Sequence, residues 1–348
     1  MTASSRLRPG LIAVRTRRWS LRLNGRVLAL SAVALAVIAA IATWSMSLGE
    51  IQLPWDVVAR AVVGIGHPGD VFIVQQLRLP RIVAALLVGA ALALSGMIFQ
   101  GLVRNELASP DIIGINAGAA AAGFVWLLLV GDTSALPVAL FLGALGTAAV
   151  IYGLSWRGGM APDRMILVGI GVASLLTAAE TFLVRRFPIE NVIWVDNLLL
   201  GTVGVADWSD NILLLTGLGV LVPLALVLSW PLRTMQLGDD AARSVGWSVE
   251  VIRLLLIVVA SWLSALAISV AGLIGFIALL VPHAARMIAG PISASVMVFT
   301  ALLGAGVLLA GDIVAFHLLP VGLPVSVVMG AIGAPYFLFL FWRSEVRL

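Results

Sequence analysis

The side chains able to do chemistry are few, and their types exclude more than they permit. The three histidines, His67, His283 and His317, lie far apart along the chain, so a histidine-based metal site is not expected. There is no cysteine, which removes disulfides and thiolate ligands. All 21 basic residues are arginine. Without a lysine there is no G-x-x-x-x-G-K-[ST] phosphate loop and no Schiff-base chemistry, so any nucleotide energy must come from another chain. No clustered nucleophile and base of the kind an intramembrane enzyme needs is visible. Glu180, near the end of an apolar run, has two readings that stay open. A charge at membrane depth is a functional candidate, and Arg185 and Arg186, just over one helical turn away, offer it a local ion pair. The polar stretch 231–250 is different in kind. Gly238-Asp239-Asp240 puts two acids at a helix N-terminus, where the backbone dipole favours them, and Gly246 stops that helix. The result is a short amphipathic element in water, shaped to enter a partner's groove.

The elements that must position these residues are membrane spans. With 61% apolar and 11% charged residues and a mean hydropathy of +1.12, a chain of 348 residues fits only a helical membrane protein. Apolar segments of bilayer length fall at about 27–46, 79–101, 112–130, 135–156, 165–184, 211–230, 251–271, 274–290, 294–315 and 323–342. The fold class read from this pattern is an all-α polytopic protein of about ten transmembrane helices. Residues 1–26 form a basic tail, 27–342 the ten-span domain, and 343–348 a second tail. With both termini inside, only Arg60, Arg78, Arg81, Arg185 and Arg186 face outward, in agreement with the positive-inside rule. An apolar run too long for a signal peptide follows the first tail. The high pI of 10.8 reflects this arginine topology, not a nucleic-acid surface, because no soluble basic module exists.

Two outward segments, 47–78 and 187–209, are long enough for short interfacial helices. The first has a start at Leu53-Pro54-Trp55-Asp56, with proline in the opening turn. Tryptophans near segment ends (Trp19, Trp44, Trp156, Trp208, Trp230, Trp342) read as interface anchors, and the scattered methionines as core filler. The stretches 78–120 and 251–290 are loosely alike, each a Gly/Ala-rich span beside a short polar turn. A gradient-driven carrier would call for paired acids or broken helices at mid-membrane, and mid-span acids are nearly absent from the sequence.

Five motifs occur in a specific order: RLPRIVAALLVGAALALSGMIFQ from Arg78, NELASPDIIGINAGA from Asn105, LGDDAARSVG from Leu237, AGLIGFIALLVPHAAR from Ala271, and LPVSVVMGAIGAPYFLFL from Leu323. Over about residues 27–342 the chain resembles the FecCD/BtuC-type permease subunits of bacterial ABC importers for ferric siderophores, haem and vitamin B12. SGMIFQGLVRNELASPDIIGINAGA is most similar to the ferric-enterobactin branch, whose partner permease is a separate chain. The resemblance implies a type II ABC-importer permease in the bacterial cytoplasmic membrane, in contact with lipid. It implies a second, distinct permease chain, two ATPase subunits that bind ATP and Mg²⁺, a substrate-binding protein, and a ferric siderophore as cargo, with vitamin B12 or haem as the alternative cargo and no cofactor in this chain. By resemblance Arg78 and Arg81 match outward arginines that contact acids on the binding protein, with headgroup anchoring as the plainer role. Gly238, Asp239, Asp240, Ala241, Arg243 and Gly246 match the coupling helix that enters a cleft of the ATPase. Asn105, Glu106 and Leu107 match the inner turn that narrows the cytoplasmic mouth. Pro282-His283 matches a pair that kinks and ends its helix. The chain departs from the family in three places. Glu106 and Leu273 stand where many relatives have proline, the second change leaving its turn less stiff. Phe316-His317 follows Asp312-Ile313-Val314-Ala315 where some relatives carry a third docking arginine.

Overall fold

A computed structural model of the chain describes residues 11–15, 20–49, 51–157, 162–319 and 322–345. Most of the basic tail, Trp19 and Arg347 lie outside the described residues. Within the tail, strands β1 (Leu11–Arg15) and β2 (Ser20–Asn24) pair antiparallel, and Asn24 caps the first helix by accepting from the amide of Arg26.

The helices then run α1 (Gly25–Ser47), α2 (Trp55–Val62), α3 (Pro68–Phe72), a π-helical turn (Ile73–Arg78), α4 (Leu79–Val103), α5 (Pro110–Ile113), α6 (Ile115–Leu129), α7 (Leu136–Ser155), α8 (Pro162–Arg186), α9 (Ile189–Leu199), α10 (Trp208–Met235), α11 (Asp239–Ser244), α12 (Val249–Ala271), α13 (Ile277–Ala289), α14 (Ala294–Ile313), a second π-helical turn (Val314–Leu318) and α15 (Val325–Glu345). Seven of these helices, or continuous runs of them, are long and apolar enough to cross a membrane among the described residues; three shorter apolar helices, in α6, α13 and α15, complete the set. The ten apolar segments read from the sequence thus each have a helix. The interfacial start at Pro54 is also present, with Pro54 as the N-cap of α2.

Helix α4 is the axis of the molecule, packed by α14, α12, α13 and α10. Its sequence explains this position. Lipid gives helices no hydrophobic drive to associate, so close backbone approach through small residues must supply the attraction. Gly96 lies against α13 so closely that a Cβ there would fall 1.8 Å from the Ala278 carbonyl oxygen, and one on Gly89 would fall 2.3 Å from that of Gly304. By contrast, α8 buries few of its residues, packing on α5, α6 and α7 with Gly169 close against the Ile113 carbonyl.

Two spans are broken where the sequence suggested continuity. The segment expected at 112–130 starts properly only at Ile115, because Gly114 turns left-handed (φ 95°) after α5. The segment expected at 274–290 starts at Ile277, since Gly272 and Phe276 both take positive φ, 68° and 66°. The C-terminal end of α12 and the linker to α13 are tied down by residues 199–202. Thr202 N–H donates to Ala271 at 2.8 Å and Leu273 N–H donates to Leu199 at 3.3 Å. Leu273 therefore uses an amide that a proline would lack, and the bridge restrains a turn expected to be loose.

Pro282 does not end α13, which continues to Ala289. A proline six residues into a helix deprives the carbonyl four residues earlier of its usual donor. Here that carbonyl, Ala278, faces Gly96, and the next one, Leu279, accepts from Gln100 Nε2 at 2.9 Å. Neighbouring α4 thus covers the gap and the helix runs on.

Candidate functional site

The polar groups collect in three places: both ends of the bundle and a cavity between them. At one end lies α11. Gly238 (φ 122°) turns the chain into it and Gly246 (φ 93°) turns it out, as the two glycines suggest. Ala242 is buried beneath the helix, whereas Asp240, Arg243, Leu237 and Val245 face solvent. Among the described residues Asp240 and Arg243 form an ion pair with each other, at 3.1 Å. Asp239 points the other way and joins three elements. Its carboxylate meets Arg104, just past α4, at 2.6 Å and Arg253 of α12 at 2.9 Å. The Arg253 side chain is only 4% exposed and takes a second acid, Glu250, at 3.2 Å.

Burial pushes the Asp239 carboxyl up, but the guanidiniums of Arg253 and Arg104 more than offset this and hold it below the usual aspartate range. A carboxyl depressed on folding adds stability that is present above its unfolded value and lost as pH falls through its folded one. Protection of the α11 amides, corrected for the intrinsic pH dependence of exchange, should therefore hold above the ordinary carboxylate range and fall as pH drops through and below it. Asp239→Asn should exchange faster at neutral pH and show no such acid transition.

The turn 104–109 sits beside this pair. Arg104 is left-handed without being glycine (φ 57°). Asn105 Oδ1 accepts from Leu107 N–H at 2.8 Å, stiffening the turn, and Ser109 caps α5. Leu107 is half-buried. Glu106 crosses to α13, meeting His283 Nδ1 at 3.0 Å and Arg286 at 3.6 Å. Arg286 also donates to Gln100 Oε1 at 2.9 Å. Asn105, Glu106 and Leu107 are thus brought next to the Asp239 end of α11, and the partners Arg104, Arg253, His283 and Arg286 are additions that sequence spacing does not reveal.

At the opposite end, Arg78 and Arg81 border a cavity of about 700 Å³ with Asp207, Phe316 and His317. Neither guanidinium is idle. Arg78 donates to the backbone carbonyls of Met46 and Ile51, fastening the α1–α2 connection. Arg81 forms a two-pronged pair with Asp312 at 2.7 and 2.9 Å, and its Cζ lies 4.0 Å over the Phe316 ring. The side chains of Arg81 and Asp312 are 15% and 5% exposed. In place of a third arginine, the 312–317 segment therefore supplies a partner for Arg81.

Between the ends, a cavity of about 520 Å³ is lined by Asp111, Asn116, Glu180, Phe276 and Phe337 among others. Asp111 accepts from Asn116 Nδ2 and, at 3.2 Å, from Phe276 N–H, capping α13. Among the described residues no ion pair joins Glu180 to Arg185 or Arg186, and its buried Oε1 has no hydrogen-bond partner. Two acids far apart in sequence thus share one cavity beside two broken helices, a juxtaposition the linear sequence hides.

The match to known proteins agrees with this architecture. Residues 34–343 match the FecCD transport family. The chain belongs to that family. It is 37% identical to the achromobactin transport system permease protein CbrC of Dickeya dadantii (strain 3937), over 95% of this chain and 96% of that one. It is 36% identical to the ferric enterobactin transport system permease protein FepG of Escherichia coli (strain K12), over 85% and 90%. A solved structure described as an inward-facing conformation of a putative metal-chelate type ABC transporter superposes with a TM-score of 0.80 at 28% identity, over 91% of this chain and 99% of that one. The FecCD chain is accordingly a multi-pass permease subunit of the ABC-importer kind, a transport component and not an enzyme in itself. As such it works with an ATPase and a substrate-binding protein.

Proposed function

We propose that this permease carries a ferric siderophore across the bacterial cytoplasmic membrane, paired with a distinct second permease and driven by two ATPase subunits that bind the ATP and Mg²⁺. The observation that carries the coupling half of this reading is α11. Its outward face offers Leu237 and Val245 on either side of a solvated Asp240–Arg243 pair, while Asp239 ties its base to α4 and α12. A helix presented and anchored in this way suits a groove on a partner and can pass force to the spans. The α11 end is then cytoplasmic, with both termini, as the arginine asymmetry supports.

The binding protein docks at the opposite end, over Arg78 and Arg81. Among the described residues an incoming carboxylate at Arg78 displaces the backbone carbonyls of Met46 and Ile51, whereas at Arg81 it must compete with Asp312. Arg78 is therefore the better-placed docking residue of the two. The cargo assignment rests on the siderophore permeases this chain resembles.

Purification from native membranes in mild detergent tests the assembly. Recovery of an ATPase and a second, different permease supports the reading. Recovery of an ATPase with this chain alone as permease contradicts the heterodimer and points to vitamin B12-like cargo. Absence of any ATPase contradicts the coupling role of α11.

A further inference from the structure

The turn 104–109 carries two opposite charges two residues apart, and they point to different parts of the molecule. Arg104 holds Asp239 at the base of α11 at 2.6 Å. Glu106 holds His283 and Arg286 on α13 at 3.0 and 3.6 Å. Between them the turn is braced by Asn105 Oδ1 on Leu107 N–H and by Asn105 carbonyl on Ala108 N–H at 3.2 Å. Its exit is capped by Ser109, and α5 leads directly to Asp111, which caps the start of α13 through Phe276 N–H. A stiff segment gripped at both ends passes displacement on, where a loose loop would absorb it.

We propose that this turn is the relay between the coupling helix and the α13 wall of the pathway, with Arg104 and Glu106 as its positioning residues. Motion of α11 draws Asp239, Asp239 draws Arg104, the turn tilts as a unit, and Glu106 carries His283 and Arg286 with it. Tyr336 of α15, its ring 6.0 Å from that of His283, lies next along this line. The inference rests on the coupling role of α11 given above. Side chains of Arg104, Glu106 and Asp239 are all partly solvated, at 41%, 59% and 32% exposure. Pairs of that kind add little to folding stability. Loss of Arg104 is thus expected in the coupling of motion and not in assembly. Because His283 and Arg286 are only 8% and 17% exposed, the Glu106 variants are also compared by thermal unfolding, so that a folding defect is told from a coupling defect.

The test uses the whole complex, purified and placed in lipid vesicles, with ferric enterobactin and its binding protein as the probe. The quantity measured is chelate delivered per ATP hydrolysed, in wild type, Arg104→Gln, Glu106→Gln and the double variant. Each single change should lower that ratio about three- to thirtyfold, inside the roughly two- to 160-fold range over which contacting side chains couple. Because the two residues act in series, the double variant should be no worse than the weaker single one. Glu106→Asp, which keeps the charge, should recover most of the ratio, and His283→Gln should mimic Glu106→Gln. A double-variant loss equal to the product of the single losses overturns the relay, as do single variants with unchanged ratios. If wild type itself hydrolyses ATP but delivers no chelate on hydrolysis, the coupling reading falls and the relay falls with it.

Discussion

Asp312→Ala is expected to destabilise the permease by about 3–5 kcal/mol, the cost of stripping the partner from a buried charge. The Arg81 guanidinium sits beneath Phe316 with little solvent access, and Asp312 takes both of its inward-facing N–H groups. Removing the carboxylate leaves that cation on the cavity wall with the Phe316 ring and, among the described residues, no counter-charge paired with it. Arg81→Ala should cost a similar amount through the orphaned Asp312. The double variant Arg81→Ala/Asp312→Ala should be clearly more stable than the sum of the single losses, since neither charge is then left alone. Thermal unfolding of the purified complex in detergent measures all three. Additive losses would mean that the two side chains do not act on each other as their geometry implies.

Gly96→Leu is expected to prevent assembly of the bundle altogether. The first added carbon would stand 1.8 Å from the Ala278 carbonyl oxygen, and that contact is backbone to backbone, so no side chain can yield. Separating α4 from α13 by the width of a leucine would also break the Gln100–Leu279 and Gln100–Arg286 hydrogen bonds. Gly146 of α7 makes the contrast, because nothing lies within 4 Å of a Cβ there. Gly146→Ala should be tolerated, or stabilise by up to ~1 kcal/mol through helix propensity. The recovered fraction of monodisperse protein on size exclusion separates the two outcomes. A well-behaved Gly96→Leu protein would show that α4 and α13 do not meet as described.

These examples also mark where the sequence is legible. Apolar length and small-residue content foretell the spans and the burial of α4, since bilayer thickness and close backbone contact act locally along the chain. Gly238, Asp239, Asp240 and Gly246 announce α11 for the same reason: helix starts and stops are written in adjacent residues. The breaks at Gly114 and Gly272–Phe276 were not legible, because an apolar run hides them and long-range contacts such as Leu273 to Leu199 decide them. The partners of the charged residues were hidden too. Arg81 and Asp312 are 231 positions apart, and Arg104 and Asp239 are 135 apart.

ATP-driven import is tested most directly by uptake of ferric enterobactin into vesicles that hold the purified complex, with binding protein on the Arg78 side. Accumulation should require ATP on the α11 side and should persist when ionophores collapse every ion gradient. Accumulation that proceeds without ATP and stops when a gradient is removed would contradict it.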